Sequence, residues 1–223
     1  MNKASNNNPW NKVYENFSGN GSVWKNLDPR YEGASPYIVD KIIKIPKNLK
    51  ILDAGCGDGR NSIYLTKLGY DISGVDLSDS AIGRAKREMK RRKIHVDFKV
   101  GSLYKLPFGD SSFDVTFYDL VNIHIEDPDT VLQEFFRTLK KGGLLLFETT
   151  SKKDPFSKGR NEFYEGGYYF KFYDLKEAKN LVSKYFRLIK TERNTILNYD
   201  HGKSYVRKTE HFHKSFLITA KKS

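Results

Sequence analysis

Three glycines spaced two residues apart are the most restrictive feature of this sequence. Gly55, Gly57 and Gly59 follow the apolar pair Ile51-Leu52 and precede a segment whose apolar residues have helical spacing. Glycine adopts positive φ readily and lets a ligand approach the backbone closely, and the first turn of a helix offers unpaired N–H groups. The pattern therefore predicts a strand, a ligand-binding loop and a helix, in that order.

Strands and helices then alternate as far as Thr149. Helices are predicted from Asn61, from Ser78, which is a suitable N-cap, and from Asp129. Such alternation is typical of a parallel sheet with helices on both faces. The predicted strands are Lys50–Ala54, Tyr70–Val75, Val96–Val100, Phe113–Tyr118 and Leu144–Thr149.

The last part of the chain has a different pattern. A helix is predicted over Asp174–Lys184, and the two strands Phe186–Arg193 and His211–Ala220 follow it without a helix between them. Consecutive strands of this kind form an antiparallel pair, which we place at the edge of the sheet. The prediction is therefore an α/β fold with seven strands, mostly parallel. One face of the last strand carries Phe212, Phe216, Ile218 and Ala220, interrupted by Lys214.

Length and composition limit the class of protein. The 223 residues suit a single domain with its own core. No apolar run approaches the roughly 20 residues of a membrane span, and the polar, Asn-rich start lacks the apolar stretch of a secretory signal. Cys56 is the single cysteine, which excludes an internal disulfide and a multi-thiolate zinc site. We therefore expect a cytoplasmic protein without a metal centre.

Positive charge is concentrated late in the chain. The net charge is +12, and residues 152–223 hold 17 Lys and Arg against 8 Asp and Glu. A basic surface attracts anionic partners such as a metabolite, a nucleic acid or an anionic lipid. Lysine is also common on surfaces that serve solubility alone, and the sequence leaves both interpretations open.

A second acidic position indicates what the glycine loop binds. Asp76 ends the second predicted strand, 17 residues after Gly59, where a carboxylate can accept two hydrogen bonds from a ribose diol. Nicotinamide dinucleotide folds also have an acid near this distance, but their loop reads G-x-G-x-x-G to fit a pyrophosphate. The loop here reads G-x-G-x-G, and Asp53 before it would repel a pyrophosphate and suits the ammonium of a methionine moiety.

In their order along the chain, these motifs resemble those of the class I S-adenosylmethionine-dependent methyltransferases, of the broad type called methyltransferase 11 or 25. The resemblance covers residues 50–150. It implies a Rossmann-like fold, S-adenosylmethionine as the cofactor and S-adenosylhomocysteine as its product. The matching segments are Asp53-Ala54-Gly55-Cys56-Gly57-Asp58-Gly59, Gly74-Val75-Asp76, Gly101 to Phe108, Phe113 to Asp119 and Leu139 to Leu145.

The resemblance also implies which residues hold the cofactor. The glycine loop would wrap the methionine end, Asp76 would bind the ribose and Leu77 would pack on the adenine. Ser102 stands where the family commonly has an aspartate that bonds the adenine amino group, and a hydroxyl makes that bond more weakly. The implied cofactor residues are Asp53, Ala54, Gly55, Cys56, Gly57, Asp76, Leu77, Ser102, Leu103, Tyr118 and Asp119.

Two aromatic segments outside these motifs are candidates for the acceptor site. They are the N-terminal flank, within residues 1–48, and an insertion at residues 151–173. The cofactor-binding core at residues 49–150 lies between them along the chain, and residues 174–223 complete the single domain. We expect the two segments to face each other over the methyl group, because both have access to the carboxyl edge of the sheet. The predicted wall residues are Tyr14, Trp24 and Tyr168, with Arg30 binding the cofactor carboxylate or an anionic acceptor.

His124 is the candidate for a catalytic base, since it follows the fourth predicted strand at the edge where ligands bind. The alternative, that His124 caps or packs the next helix, stays open. Methyl transfer from a sulfonium depends mainly on alignment, proximity and exclusion of water, so a catalytic triad is not expected.

Three functions are consistent with this sequence. We favour methyl transfer to a small molecule. An RNA or tRNA methyltransferase would use the basic C-terminal third, and a non-catalytic cofactor-binding subunit would serve a partner enzyme. The sequence leaves the acceptor atom, the acceptor molecule and the oligomeric state open.

Overall fold

The computed structural model describes residues 8–16, 28–198 and 211–223 of the chain. A seven-stranded sheet forms the centre of the structure, and a two-stranded hairpin lies outside that sheet. Numbered along the chain, the strands are β1 (Lys50–Ala54), β2 (Asp71–Asp76), β3 (Asp97–Val100), β4 (Phe113–Tyr118), β5 (Leu139–Thr150), β6 (Glu162–Glu165), β7 (Tyr168–Lys171), β8 (Arg187–Asn198) and β9 (His211–Lys221).

Four helices within the described ranges begin at polar residues whose side chains cap the first turn. Ser78 Oγ accepts a hydrogen bond from the Ala81 N–H at 3.1 Å, as predicted for an N-cap. Asp174 and Glu177 form a reciprocal capping box. No helix within the described ranges has the length and apolar character to cross a membrane. The α-helices of those ranges are α1 (Pro9–Glu15), α2 (Pro36–Ile42), α3 (Arg60–Lys67), α4 (Asp79–Arg91), α5 (Pro128–Thr138) and α6 (Leu175–Ser183).

The strand order is β3-β2-β1-β4-β5-β9-β8. The chain runs outward from β1 to β3 and then returns to the other side of β1, so the loops after β1 and β4 diverge and leave a crevice at the carboxyl ends. Strands β1 to β5 pair in parallel, whereas β9 is antiparallel to β5 and β8. The predicted fold class, with its antiparallel pair at the sheet edge, is confirmed.

Apolar residues on the two faces of the sheet form two separate clusters. Tyr118 and Phe147 pack with Phe135 of α5 in one cluster, and Phe117 packs with α2, α3 and α4 in the other. A third cluster joins Tyr14 of α1 to Tyr168, Phe170 and Phe172 in and beside the β6–β7 hairpin. The N-terminal helix and the insertion are thus fastened to each other.

The structure differs from the sequence prediction in β5, in the insertion and in β8, which continues to Asn198 beyond the predicted end at Arg193. β5 begins at Leu139 and not at Leu144, because Leu139 already pairs with Phe113; a register shift follows at the glycine pair, where Gly142 has φ +77°. The insertion is not a mere loop, since its residues pair as β6 and β7. Neither the start of β5 nor the four-residue strands of the insertion are long enough to show a clear periodicity in the sequence.

Phe212 is also placed differently from its predicted companions. Phe216, Ile218 and Ala220 are buried, whereas Phe212 is 53% exposed. β5 pairs with β9 only from Ser215 onward, so the start of β9 is paired with β8 alone. Phe212 therefore lies beyond the part of β9 that the rest of the sheet covers.

Two alanine substitutions on β9 test this packing. We expect Phe216→Ala to lower the free energy of unfolding by about 3 kcal/mol, because it removes a buried ring from the core. Phe212→Ala is the matched control and should change it by less than about 0.5 kcal/mol. Urea denaturation of the two variants measures both values. Equal losses would contradict the boundary described for the buried face.

Candidate active site

A cavity of about 220 Å³ opens at the carboxyl ends of the parallel strands. Its walls come from the loops after β1, β2, β3 and β4, from α1 and from the ends of β5 and β9. The position is the one that the strand order predicts, where the loops after β1 and β4 diverge. Among the residues that the structure describes, no group of His, Cys, Asp and Glu could hold a metal ion.

The glycine loop forms the floor of the cavity. Gly55 and Gly57 have φ of +77° and +55°, which only glycine adopts without strain. The N–H groups of Gly55 and Cys56 donate to the carbonyl of Val75 at 2.8 and 2.9 Å. A methyl group on Gly55 would lie 2.7 Å from Cγ2 of Val121. Backbone conformation and a close neighbour therefore both require glycine at this position.

Asp76 fastens this loop to the end of β2. Its Oδ2 accepts from the Gly57 N–H at 2.8 Å, and its Oδ1 accepts from the Ser78 N–H at 2.9 Å. The Leu77 N–H also bonds this carboxylate, and because each carboxylate oxygen has two acceptor positions, acceptor capacity remains for a ligand. Burial raises the pKa of Asp76 to about 6. The Asp76 carboxyl group therefore lines the cavity, where it can accept hydrogen bonds from a diol, and it is ionised above about pH 6.

A buried ion pair forms the opposite end of the floor. Asp119 Oδ2 accepts from Arg60 Nη2 at 2.7 Å and from Asn61 Nδ2 at 2.8 Å. The two charged side chains are 9% and 4% exposed. Burial opposes ionisation, but Arg60 and the other donors hold the pKa of Asp119 below its ordinary value. The next residue, Leu120, has φ +57° and also lines the cavity, and such strain is common at functional sites.

Most of the residues implied for the cofactor line this cavity. They include the loop residues Gly55, Cys56 and Gly57, and further along the chain Asp76, Leu77, Ser102, Leu103 and Asp119. Cys56 is buried, and burial raises the pKa of its thiol well above the ordinary value, so this cysteine is a packing residue. Ser102 Oγ accepts from the Tyr104 N–H at 3.2 Å.

Asp53, Ala54 and Tyr118 are in the core and do not line the cavity. Asp53 Oδ2 accepts from the Ser62 hydroxyl at 2.6 Å, and burial raises its pKa to about 7. The ring of Tyr118 packs between Phe135 and Phe147. The three residues are no more than 1% exposed and their side chains are held in the core, whereas Asp76, which also ends a strand, lines the cavity.

Aromatic side chains form the wall across from the glycine loop. Trp10 and Tyr14 of α1 line the cavity together with Ile123, His124 and Ile125. The Trp10 ring lies 4.5 Å from the His124 ring, centroid to centroid. His124 Nδ1 is 2.7 Å from the carbonyl oxygen of Tyr169, and an Nδ1–H that donates there leaves Nε2 as the basic nitrogen. His124 is therefore packed against its neighbours and also reaches the cavity.

The other residues predicted for the acceptor side are placed as follows. Tyr168 packs on Trp10, with ring centroids 4.7 Å apart, and donates its hydroxyl to the Pro9 carbonyl at 3.1 Å, but does not itself line the cavity. Arg30 is exposed, pairs with Asp28 at 2.6 Å and lies outside the cavity wall. Trp24 is outside the described residues. The N-terminal helix and the hairpin do meet beside His124.

Arg60, Asn61 and His213 are cavity residues that sequence reasoning missed. The signal for Arg60 and Asn61 was their place directly after the last glycine of the loop, at the start of α3. His213 gave no signal, because only the folded sheet brings β9 to this edge. His213 Nδ1 lies 3.3 Å from Oδ2 of Asp154, whose side chain is fully buried.

Comparison with known proteins gives this site a context. Residues 52–147 match the family model described as a methyltransferase domain. The chain is 36% identical over 106 residues to the ubiquinone biosynthesis O-methyltransferase of Pelagibacter ubique. The aligned region covers 48% of this chain and 44% of that protein. The chain is also 34% identical over 98 residues to phosphoethanolamine N-methyltransferase 3 of Arabidopsis thaliana, covering 44% of this chain and 20% of that protein.

A solved structure is similar over most of the chain. A SAM-dependent methyltransferase from Methanosarcina mazei superposes with a TM-score of 0.67 at 23% identity, covering 84% of this chain and 97% of that one. At this identity the likeness shows the fold. The chain matches less than half the length of the curated relatives named above.

Alanine at two glycines with the same backbone conformation tests the floor of the cavity. Gly55 and Gly159 both have φ +77°, but a methyl group on Gly159 would meet nothing within 4 Å. We expect Gly159→Ala to lower the free energy of unfolding by about 1 kcal/mol, the cost of left-handed backbone. Gly55→Ala should lower it by about 1–3 kcal/mol more, because it also overpacks against Val121. Chemical denaturation measures the difference, and equal losses would refute the close approach.

Proposed function

Residues 52–147 belong to the class I S-adenosylmethionine-dependent methyltransferases, and from this premise we propose that the chain transfers a methyl group to a small-molecule acceptor. The observation that carries the proposal is that the cofactor motifs and an aromatic wall line one cavity. The names of the two relatives compared above, one for ubiquinone biosynthesis and one for phosphoethanolamine, support an acceptor of this size.

The described residues fit the cofactor at both of its ends. The glycine loop has no room for a side chain at Gly55, where a methyl group would meet Val121, and Asp76 lines the cavity as an acceptor for the ribose diol. At the other end, Asp119 and Arg60 offer a carboxylate and a guanidinium, which complement the ammonium and the carboxylate of the methionine moiety. When bound, the cofactor supplies an electrophilic methyl group on a sulfonium.

The wall residues would align the acceptor and exclude water. Trp10 and Tyr14 present aromatic faces, which attract a cation at short range. His124, with Nε2 as its basic nitrogen, would take the proton of an acceptor hydroxyl. Within the described ranges the wall formed by Trp10, Tyr14, Ile123, His124 and Ile125 has no carboxylate and no Lys or Arg. Such a wall suits an acceptor whose reacting end is uncharged or aromatic.

A methyl-transfer assay tests the proposal directly. The purified chain is incubated with S-adenosylmethionine labelled in the methyl group and a cell extract, which is then separated into small-molecule, lipid, protein and RNA fractions. We expect label in the small-molecule fraction. Label confined to RNA, with transfer that weakens steeply as salt is raised, would support the RNA alternative instead. Binding of S-adenosylhomocysteine without labelling of any fraction would support a non-catalytic subunit.

Replacement of Asp76 tests the ribose contact. We expect Asp76→Ala to weaken S-adenosylmethionine binding by about 1.5–3 kcal/mol, because hydrogen bonds to a charged acceptor are lost. Asp71→Ala is the matched control, since Asp71 is an exposed carboxylate at the other end of β2. Calorimetric titration of both variants gives the affinities. Unchanged affinity in Asp76→Ala would remove this residue from the site.

The raised pKa of Asp76 predicts a pH dependence of binding. The neutral carboxyl predominates below about pH 6 and the carboxylate above it, and the carboxylate is the better acceptor for a diol. Affinity for S-adenosylhomocysteine should therefore fall as the pH decreases from about 7 to about 5. Asp53 titrates in the same region, so the ratio of wild-type affinity to that of Asp76→Asn isolates Asp76. A ratio that does not vary with pH would contradict the assignment.

A further inference from the structure

Two buried carboxyl groups meet behind the floor of the cavity. Glu148 of β5 lies next to Asp119, which follows β4, and the two residues are 1% and 9% exposed. Tyr118 of β4 pairs with Phe147 of β5, so the next residues, Asp119 and Glu148, are neighbours, and their carboxyl groups interact with each other. Two ionised carboxylates only accept hydrogen bonds and repel each other, so such a contact needs a proton between them.

The remaining oxygens show where this proton lies. Asp119 Oδ2 accepts from Arg60 and Asn61, and Glu148 Oε1 accepts from the Ser215 hydroxyl and, at 3.4 Å, from Asn194 Nδ2. Asp119 Oδ1 and Glu148 Oε2 are buried and have no other donor in the described part of the chain. One proton shared by these two oxygens satisfies both of them.

Glu148 is the member of the pair that carries the proton. Burial, and then the negative charge of Asp119, raise the pKa of Glu148 well above its ordinary value. Arg60 stabilises the charge on Asp119 through its own positive charge and a hydrogen bond. β8 and β9 direct two side chains at Glu148. They are Asn194 and Ser215, and both are uncharged. Glu148 thus bonds as a glutamine would: its Oε1 accepts hydrogen bonds, and its Oε2 carries the proton that is donated.

We propose that Glu148 is a positioning residue of the cofactor site, a neutral carboxylic acid whose O–H donates to Asp119 and holds the Asp119–Arg60 pair in place. The inference rests on the proposed function, because it assigns that pair to the methionine end of the cofactor. With Glu148 neutral, the trio carries one positive and one negative charge, which suits a zwitterionic amino-acid group. An ionised Glu148 would add a second negative charge and push Asp119 away from its present contacts.

Replacement of Glu148 by glutamine and by leucine tests this role. Glutamine keeps the donor and cannot ionise, so Glu148→Gln should bind S-adenosylhomocysteine within about twofold of the wild type in calorimetric titration at neutral pH. Leucine has a similar volume but leaves Asp119 Oδ1 without a donor, so Glu148→Leu should bind about tenfold more weakly. Glu88→Gln on α4 is the control, since that glutamate is ion-paired at the surface. If glutamine weakens binding as much as leucine does, or if leucine leaves binding unchanged, the proposal is overturned.

Infrared spectroscopy tests the protonation itself, without a ligand. At about pH 8, Asp53 and Asp76 are mostly ionised, since their pKa values are about 7 and about 6. The wild type should then show the carbonyl band of a neutral carboxylic acid, and Glu148→Gln should lack it. Absence of the band from the wild type would refute the proposal even if the leucine variant does not fold. If the wild type shows the band but does not bind S-adenosylhomocysteine, the proposed function fails and the carboxyl pair stands.

Discussion

The hydrogen bonds of one residue, Asp76, hold together the loops after β1, β2 and β3 at the binding edge of the sheet. They join the glycine loop after β1 to the turn that starts α4, and the backbone of the same residue accepts the N–H of Gly101 after β3. Three successive loops are thus fastened at one point. Because loops have few apolar contacts of their own, such polar bonds decide their conformation, and the remaining walls of the cavity are built around them.

The residues around the glycine loop could be predicted from the sequence because they are local. The spacing of Gly55, Gly57 and Gly59 specifies a backbone conformation, and Asp76 follows at the end of the adjacent strand. The alternation of strands and helices predicted the seven-stranded sheet for the same reason, since each element has its own periodicity. The sequence therefore predicts well those features, such as loop conformation and secondary structure, that depend on residues close together along the chain.

Contacts between distant segments could not be predicted in this way. His213 and Asp154 approach each other across 59 positions, and Glu148 meets Asn194 and Ser215 across 46 and 67 positions. No local pattern marks such residues, because a buried polar group in a strand looks like an interruption of the apolar face. Arg30 shows the converse, because the sequence predicted it to bind the cofactor carboxylate or an anionic acceptor, whereas in the fold it is exposed and paired with Asp28.

The aromatic wall depends on contacts between α1 and the β6–β7 hairpin, two elements outside the seven-stranded sheet. Trp10 of α1 contacts His124 and Tyr168, and Phe170 of the hairpin contacts His124 from the other side. Polar bonds add to this packing, because Asn11 accepts from the Ser78 hydroxyl at 2.7 Å. The hydrogen bond between Ser78 and Asn11 therefore joins the helix that carries Trp10 to the N-cap of α4.

The antiparallel edge has a consequence for the order of events during synthesis. β5 gains its outer neighbour only when β9 pairs with it, and β9 follows β5 by more than sixty residues. A ribosome-bound chain therefore has β1 to β5 and the glycine loop available well before Ser215 exists to bond Glu148. Until then the outer edge of β5 is unpaired and open to other strands, and the polar network behind the cavity is incomplete. The nascent chain thus acquires its cofactor loop early and its full binding site last.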